Sequence, residues 1–225
     1  MNDMINFIDV RLFYTKTGSA KYISHLDVMR AFQRALKRSK IDFWYTEGFH
    51  PHLYLTFALP LSLGYESVAE SVDFRLISPM PYEEIVHRIN AVLPVGFRAI
   101  AACRPKMDAK RIRFADYDIS FAAEEKDVEQ TLADWYRCFD REEVTVLKKT
   151  KSGEKEIDIK PHIKLSKLEH KDGRYCFKAR LASGVELNIN PDLVFEAFKN
   201  FSGFKPEDIA VKRMAVYNEK MEKFR

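Results

Sequence analysis

One histidine stands where a helix is predicted to begin, in the segment Ser24-His25-Leu26-Asp27. Ser24 is a favourable N-cap residue, and Asp27 three residues later suits the first turn of a helix. A histidine there could act as a general acid or base, and the free N–H groups of a helix start attract phosphate. The simpler alternative is that Ser24 caps the helix and His25 only lies on its first turn. The sequence thus gives His25 as a catalytic candidate and Ser24 and Asp27 as binding candidates.

Two further histidines lie one residue apart in the loop Glu47-Gly48-Phe49-His50-Pro51-His52. His50 and His52, with Glu47 and with His25 if the fold brings it close, carry the right atoms to bind a divalent metal ion. Alternatively the loop is an ordered turn stiffened by proline, and an extended backbone would direct the two imidazoles to opposite sides. We predict that the loop lies near the helix start, so that His25 shares a cleft with His50 or His52.

Aromatic residues accompany these histidines. Phe49, Tyr54 and Phe57 resemble the side chains on which unpaired nucleic-acid bases stack. The alternative is that they pack in the core, which is the commoner role of aromatic residues in strands. The loop therefore contributes four binding candidates, Glu47, Phe49, His50 and His52.

The helix predicted over residues 24–40 carries a cationic stripe. Its apolar positions recur three or four residues apart, as a packed helix face requires; they are Leu26, Met29, Phe32 and Leu36. The opposite stripe consists of four cations, Arg30, Arg34, Lys37 and Arg38. Neighbouring like charges repel on a helix, so the stripe favours a surface for an anionic partner, the alternative being a solvated face. Two other basic stretches occur at 104–113 and 148–167.

The composition is that of an ordinary globular protein. The chain has 225 residues with 46% hydrophobic residues, and 37 Lys and Arg against 33 Asp and Glu give a net charge of +4. So small an excess excludes a uniformly basic coat for nucleic acid, and any anionic partner must meet local patches. The three cysteines are isolated from one another, which excludes the usual zinc and iron–sulfur motifs. No long apolar run or signal peptide is evident, so we predict a cytoplasmic protein without a membrane partner.

The predicted elements follow the order strand, helix, strand, strand, helix, strand in the first half of the chain, and the second half repeats this order with added hairpins. We therefore predict an α+β fold of two tandem ferredoxin-like (βαββαβ) units with antiparallel sheets. The first domain would span residues 1–105 and contain the SHLD and EGFHPH motifs. The second would span residues 106–225 and be more irregular.

The long segment 21–67, with SHLDVMRAFQRAL followed by EGFHPHLYLTFALPLSLG, resembles the bacterial radical SAM-linked family, a domain of unknown function. The resemblance continues at AESVDF and EIDIKPHI. It implies a radical SAM protein as partner, with the iron–sulfur cluster and SAM on that partner and no cofactor in this chain. More distantly, the His-bearing helix start and basic helix are similar to CRISPR repeat-associated RNA-binding proteins. The chain lacks the C-terminal glycine-rich loop of the RNA-cleaving members.

Three functional hypotheses follow. The sequence favours an accessory module without independent catalysis, which binds RNA or presents an RNA-bound substrate to a radical SAM enzyme. The second hypothesis is a ribonuclease, either metal-independent through His25 or metal-dependent through His50 and His52. The third is a protein–protein adaptor that binds no nucleic acid.

Overall fold

A computed structural model describes residues 7–122, 128–150 and 153–225 of the chain. The chain divides into two compact units. The first comprises Met1–Arg111 together with Lys223–Arg225, and the second comprises Ile112–Glu222. This division lies six residues after the predicted boundary between residues 105 and 106. The return of the last three residues to the first unit is a feature that no sequence pattern indicated.

Strands and helices of the first unit follow the predicted order. Its elements are β1 (Ile8–Lys16), α1 (His25–Arg38), β2 (Thr56–Phe57), β3 (Glu66–Leu76), α2 (Tyr82–Asn90) and β4 (Phe97–Cys103). β1 lies between β4 and β3, and β2 pairs with the other edge of β3. All three pairings are antiparallel. The strand predicted over 53–59 is thus reduced to the two residues of β2.

Alternating residues of the two central strands form the core of the first unit. Val10 and Leu12 of β1 and Phe74 of β3 are almost completely buried, because one face of the sheet packs against the helices. The helices contribute Phe32 from α1 and Ile85 from α2. The apolar residues that alternate along the strands and those that recur every three to four residues along the helices therefore pack against each other in one core.

The buried stripe of α1 differs from the predicted one. α1 buries four residues at helical spacing, Val28, Phe32, Ala35 and Leu36. Leu26, which the sequence placed in the core, is 55% exposed. At about 100° per residue, Leu26 lies outside the arc defined by the buried residues, whereas Met29 lies at its edge and is half-buried. An exposed leucine therefore stands at the start of the helix.

The second unit repeats the order with additions. Its elements are β5 (Ile112–Ala122), α3 (Val128–Phe139), β6 (Thr145–Thr150), β7 (Gly153–Asp158), β8 (Ile163–Leu165), β9 (Glu169–Lys171), β10 (Arg174–Ala182), α4 (Pro191–Ser202) and β11 (Glu207–Asn218). β5 lies between β11 and β10, and β8 and β9 both pair with the other edge of β10. β6 and β7 form a separate two-stranded ribbon, as the predicted hairpin required. Aromatic rings fill the core, with Trp135, Phe121 and Phe198 almost completely buried.

The chain is thus a mixed α/β protein with four α-helices among its described residues. The strand pairings given above are all antiparallel. The more specific description of the chain as two tandem ferredoxin-like units stays a prediction. No helix within the described ranges is long and apolar enough to cross a membrane.

A buried ion pair joins β1 to β3 on the sheet face that points away from the helices. Arg11 is 1% exposed, and its guanidinium donates two hydrogen bonds of 2.7 Å to the carboxylate of Asp73 directly opposite. A third donor of Arg11 meets the backbone oxygen of Arg225 at 2.8 Å, and the ring of Phe224 lies 4.1 Å from the guanidinium. The returning segment Lys223–Arg225 therefore completes the surroundings of a charge that belongs to the first strand.

Replacing Asp73 with alanine should strongly destabilise the fold. The change leaves the buried guanidinium of Arg11 without its counter-ion, which costs about 3 kcal/mol or more of unfolding free energy. Urea denaturation would measure the loss. The matched control is Glu169→Ala, which removes one partner of an exposed ion pair with Lys171 and should leave the urea midpoint almost unchanged. Equal midpoints for Asp73→Ala and wild type would contradict a structural role of the buried pair.

Candidate functional site

Ser24 and Asp27 cap α1 reciprocally. The Ser24 hydroxyl accepts a hydrogen bond from the Asp27 backbone N–H at 3.2 Å and donates one to the Asp27 carboxylate at 2.7 Å. Arg30 donates to the same carboxylate at 3.1 Å. The hydrogen bond from Ser24, then that from Arg30, lowers the pKa of Asp27. Two predicted binding residues therefore have a local structural role, because the Ser24 hydroxyl satisfies one free N–H of the helix start and is itself held by the Asp27 carboxylate.

His25 is half-buried beside this cap. Its imidazole meets the ring of Phe57 edge to face, with the ring centroids 5.3 Å apart. Burial lowers the pKa of His25; Glu70 opposes this shift and Lys16 adds to it. The lowered pKa favours the neutral imidazole, in which one ring nitrogen can accept a proton and the other can donate one.

The two charged neighbours of His25 were missed by the sequence reasoning. Lys16 is 2% exposed and Glu70 is 5% exposed, at the same end of β1 and β3. The Lys16 ammonium group donates to the backbone oxygen of Ile23 at 2.8 Å. The sequence did contain an indication of both residues: Glu70 continues the alternating core positions of β3, and Lys16 continues those of β1. Charged residues in phase with a core stripe are candidates for a site, since burying a charge is costly without a partner.

The outer face of α1 presents three exposed cations. Arg30, Arg34 and Lys37 are exposed, and we call them the cationic face. Arg30 is shared with Asp27, whereas Arg34 and Lys37 form no ion pair or hydrogen bond with another described residue. Arg38, the fourth residue of the predicted stripe, instead donates to the backbone oxygen of Val92 at 2.9 Å. All four cations of the predicted stripe are exposed, and its role as a binding surface stays a prediction.

The loop that contains the other histidines is a hairpin extruded from the edge strand. Phe43 lies opposite Leu76, and Thr56 lies opposite Asp73. The two partners in β3 are only three residues apart, whereas Phe43 and Thr56 are thirteen residues apart, so most of the residues between them do not pair with β3. The intervening residues 45–53 turn back on themselves, and Tyr45 pairs with Leu53 at their base. We call this segment the 45–53 hairpin.

A second pair of residues closes this base. The Thr46 N–H donates to the His52 carbonyl at 2.9 Å, and the His52 N–H donates to the Thr46 hydroxyl oxygen at 3.1 Å. The same hydroxyl lies 2.9 Å from Nδ1 of His52, and Nδ1 is also 3.2 Å from the His50 carbonyl oxygen. One nitrogen of His52 is therefore engaged within the hairpin, which leaves Nε2 for other contacts.

No three acidic, histidine or cysteine side chains within the described ranges come close enough together to hold a metal ion. Glu47, His50 and His52 are all exposed, and the structure does not assemble them into such a group with His25. His25 contacts Phe57 in β2 instead. The cleft shared by His25 and the loop histidines stays a prediction.

An aromatic cage lies beside the base of the hairpin. The Arg75 guanidinium carbon lies 3.7 Å from the ring centroid of Phe7, 4.3 Å from that of Tyr54 and 5.2 Å from that of Trp44. Arg75 also donates to the Asp9 carboxylate at 3.0 Å. Trp44 and Tyr54 immediately flank the 45–53 hairpin, so the cage fixes the point at which the hairpin leaves the sheet.

Residues 10–191 match the family described as an uncharacterized protein conserved in bacteria, DUF2344. The match covers well over half of the chain. The chain belongs to this family. The DUF2344 match includes His25, the cationic face and the 45–53 hairpin, so the resemblance to a bacterial domain of unknown function is confirmed. The association with a radical SAM enzyme stays a prediction.

Comparisons beyond DUF2344 concern the fold. No curated protein matches the chain. Among solved structures, a chain of a Cbf5-Nop10-Gar1 complex is similar over 93% of this chain, with 9% sequence identity and a TM-score of 0.49. This chain spans 50% of the length of that chain. An unknown protein from Galdieria sulphuraria is similar over 92% of this chain and 99% of its own length, with 11% identity and a TM-score of 0.27.

The lowered pKa of His25 predicts a specific pH dependence for this DUF2344 protein. Because the unfolded chain binds the proton more readily than the folded one, stability is greatest above the ordinary histidine pKa of 6.5 and declines as the pH falls through the lower pKa of the folded state. Denaturation midpoints between pH 7.5 and 5 would show this decline, and the decline should be smaller in His25→Asn. An NMR titration that places the pKa of His25 at or above 6.5 would contradict this assignment.

Proposed function

We propose that the chain is an accessory RNA-binding module that holds RNA, or an RNA-bound substrate, for a radical SAM enzyme. The observation that carries the proposal is the cationic face, because the exposed side chains of Arg34 and Lys37 form no ion pair or hydrogen bond with another described residue. Phosphate contacts from exposed arginine and lysine supply most of the sequence-independent affinity for nucleic acid. Exposed Leu26 and Tyr22 stand near the start of the same helix and add apolar area beside these charges.

Both units support the predicted architecture. Within each unit the strand order is the one that two tandem ferredoxin-like units require, β4-β1-β3-β2 in the first and β11-β5-β10-β8 in the second. We infer that the chain has this tandem form. The distant resemblance of the His-bearing helix start to CRISPR repeat-associated proteins favours RNA over DNA, by analogy of fold and motif. The radical SAM partner comes from the family resemblance of residues 21–67, with the iron–sulfur cluster and SAM on that partner.

Removing two cations of the cationic face should weaken RNA binding and flatten its dependence on salt. Each phosphate contact on a single strand contributes a slope of roughly 0.7 in log affinity against log salt, so Arg34→Gln with Lys37→Gln should lower the slope by about 1.4. Titrations of oligouridine at several potassium chloride concentrations would measure it. The matched control, Lys199→Gln with Lys205→Gln, removes two exposed cations from the second unit and should leave the slope unchanged.

Capture of the radical SAM protein by the same variants separates RNA binding from an adaptor role. The proposal expects the Arg34 and Lys37 double variant to lose RNA and to retain this partner. Loss of the partner with unchanged RNA affinity would favour the protein–protein adaptor. Unchanged affinity for both would remove the cationic face from the function altogether.

A second candidate function is a metal-independent ribonuclease that uses His25. Its support is the neutral imidazole of a half-exposed histidine near buried Glu70 and Lys16, since such a group can accept a proton from a ribose 2′-hydroxyl. The metal-dependent alternative has less support, because no third protein ligand joins His50 and His52 among the described residues.

His25→Ala distinguishes the module from this enzyme. The module predicts that neither wild type nor variant cleaves the bound RNA and that both bind it with similar affinity, because His25 lies outside the cationic face. Radiolabelled RNA would be incubated with each protein in the presence of a metal chelator, so that any cleavage detected is independent of metal ions. Cleavage by wild type that disappears in the variant, with binding retained, would establish the ribonuclease instead.

A further inference from the structure

The most exposed large apolar side chain among the described residues is Phe49, at the tip of the 45–53 hairpin. Its exposed fraction is 101%, so the whole ring faces solvent. Its neighbour Gly48 has a φ of 120°, a conformation that suits glycine because other residues are strained there. The turn that projects the phenylalanine is therefore built into the local backbone.

Hydrogen bonds hold the base of the hairpin, whereas its tip is exposed to solvent. Thr46 and His52 close it with paired backbone and side-chain hydrogen bonds, and Tyr45 pairs with Leu53. Below this base the Arg75 cage holds Trp44 and Tyr54 on either side of the excursion. A ring held on a braced support loses little conformational freedom when it binds, which raises its affinity for a partner.

The surroundings of Phe49 suit a stacked base better than a protein interface. Phe49 is followed by His50, Pro51 and His52, all exposed, so imidazoles that can form hydrogen bonds are close to it in the chain. Interfaces between proteins instead centre on a contiguous apolar core. A single aromatic ring beside polar donors and acceptors is typical of the platforms on which unpaired bases stack.

We propose that the 45–53 hairpin selects single-stranded RNA by stacking Phe49 on an unpaired base. The proposal rests on the RNA-binding function proposed above and assigns its substrate class. In this arrangement the cationic face binds phosphates, whereas Phe49 stacks only on a base that is not paired with a complementary base. His50 and the free Nε2 of His52 are then close to the edges of that base or its sugar.

Two probes of equal length test the proposal with the full-length protein. One is single-stranded oligouridine, and the other is a ribose–phosphate oligomer of the same length that carries no bases. Phe49→Ala should weaken oligouridine binding about 5- to 150-fold, the usual effect of losing one base–aromatic stack. It should leave binding of the baseless oligomer unchanged. The matched control is Phe201→Ala, which removes a partly exposed phenylalanine of the second unit and should affect neither probe.

The outcomes separate this proposal from the function on which it rests. Wild-type protein that binds neither oligomer overturns both. Wild-type binding with equal affinity of Phe49→Ala for oligouridine overturns the stacking proposal and leaves the RNA-binding module standing. An equal loss on both probes also overturns it, because stacking requires bases. Loss of radical SAM partner capture with unchanged RNA affinity would assign Phe49 to a protein contact and overturn it too.

A fluorescence measurement provides a second readout in a variant that retains an aromatic ring. Phe49→Trp should bind oligouridine at least as well as wild type, and its added emission should be quenched by oligouridine and not by the baseless oligomer. Subtracting the wild-type signal removes the contributions of Trp44 and Trp135, which lie in the cage and the core. Absence of quenching at saturating oligouridine would overturn the proposal.

Discussion

The pairing of Arg11 with Asp73 fixes how β1 and β3 align. Both partners lie on the sheet face away from the helices, and taking a guanidinium out of water is favourable only when its donors are satisfied. A shift of one residue between the strands would separate the two charges and turn core side chains to the other face. The same alignment brings Tyr14 opposite Glu70, and so places a buried carboxylate near His25. The surroundings of the histidine thus depend on an ion pair that lies on the opposite face of the sheet.

Several arginines in this protein pack against aromatic rings. Arg75 fills an aromatic cage, and Arg11 lies under Phe224. In the second unit Arg180 faces Asp116 directly across β10 and β5 with two hydrogen bonds of 2.7 and 2.8 Å, and the ring of Tyr217 lies 5.0 Å from its guanidinium. Each unit therefore has an arginine–aspartate pair on its two neighbouring central strands, covered by an aromatic ring. The side chains of Arg34 and Lys37, by contrast, are exposed on α1 and form no ion pair or hydrogen bond with another described residue.

The sequence predicted the elements well wherever hydrophobic periodicity and turn residues agreed. α1, the β6–β7 ribbon and the order of strands and helices along each half of the chain follow from such local signals. Leu26 was misplaced because a helical stripe of leucines and phenylalanines fits more than one rotation of the helix, and only contact with the sheet selects Val28. Lys16 and Glu70 were not predicted, because the positions of charged residues within a strand do not show which of them the fold will bury, although both are in phase with the core positions. The aromatic cage could not have been predicted, since it joins residues of three distant segments around Arg75.

The return of Phe224 and Arg225 to the first unit has a consequence for the order in which the chain can fold. Arg11 and Arg225 are 214 residues apart, and a ribosome makes the chain from its N-terminus. Until Phe224 and Arg225 have been synthesised, the Arg11 guanidinium lacks the carbonyl acceptor and the aromatic ring that they provide. Closing so long a loop is entropically costly, and folding of the second unit shortens the effective distance before the contact forms. The first unit is therefore synthesised before the second unit but completed only after it.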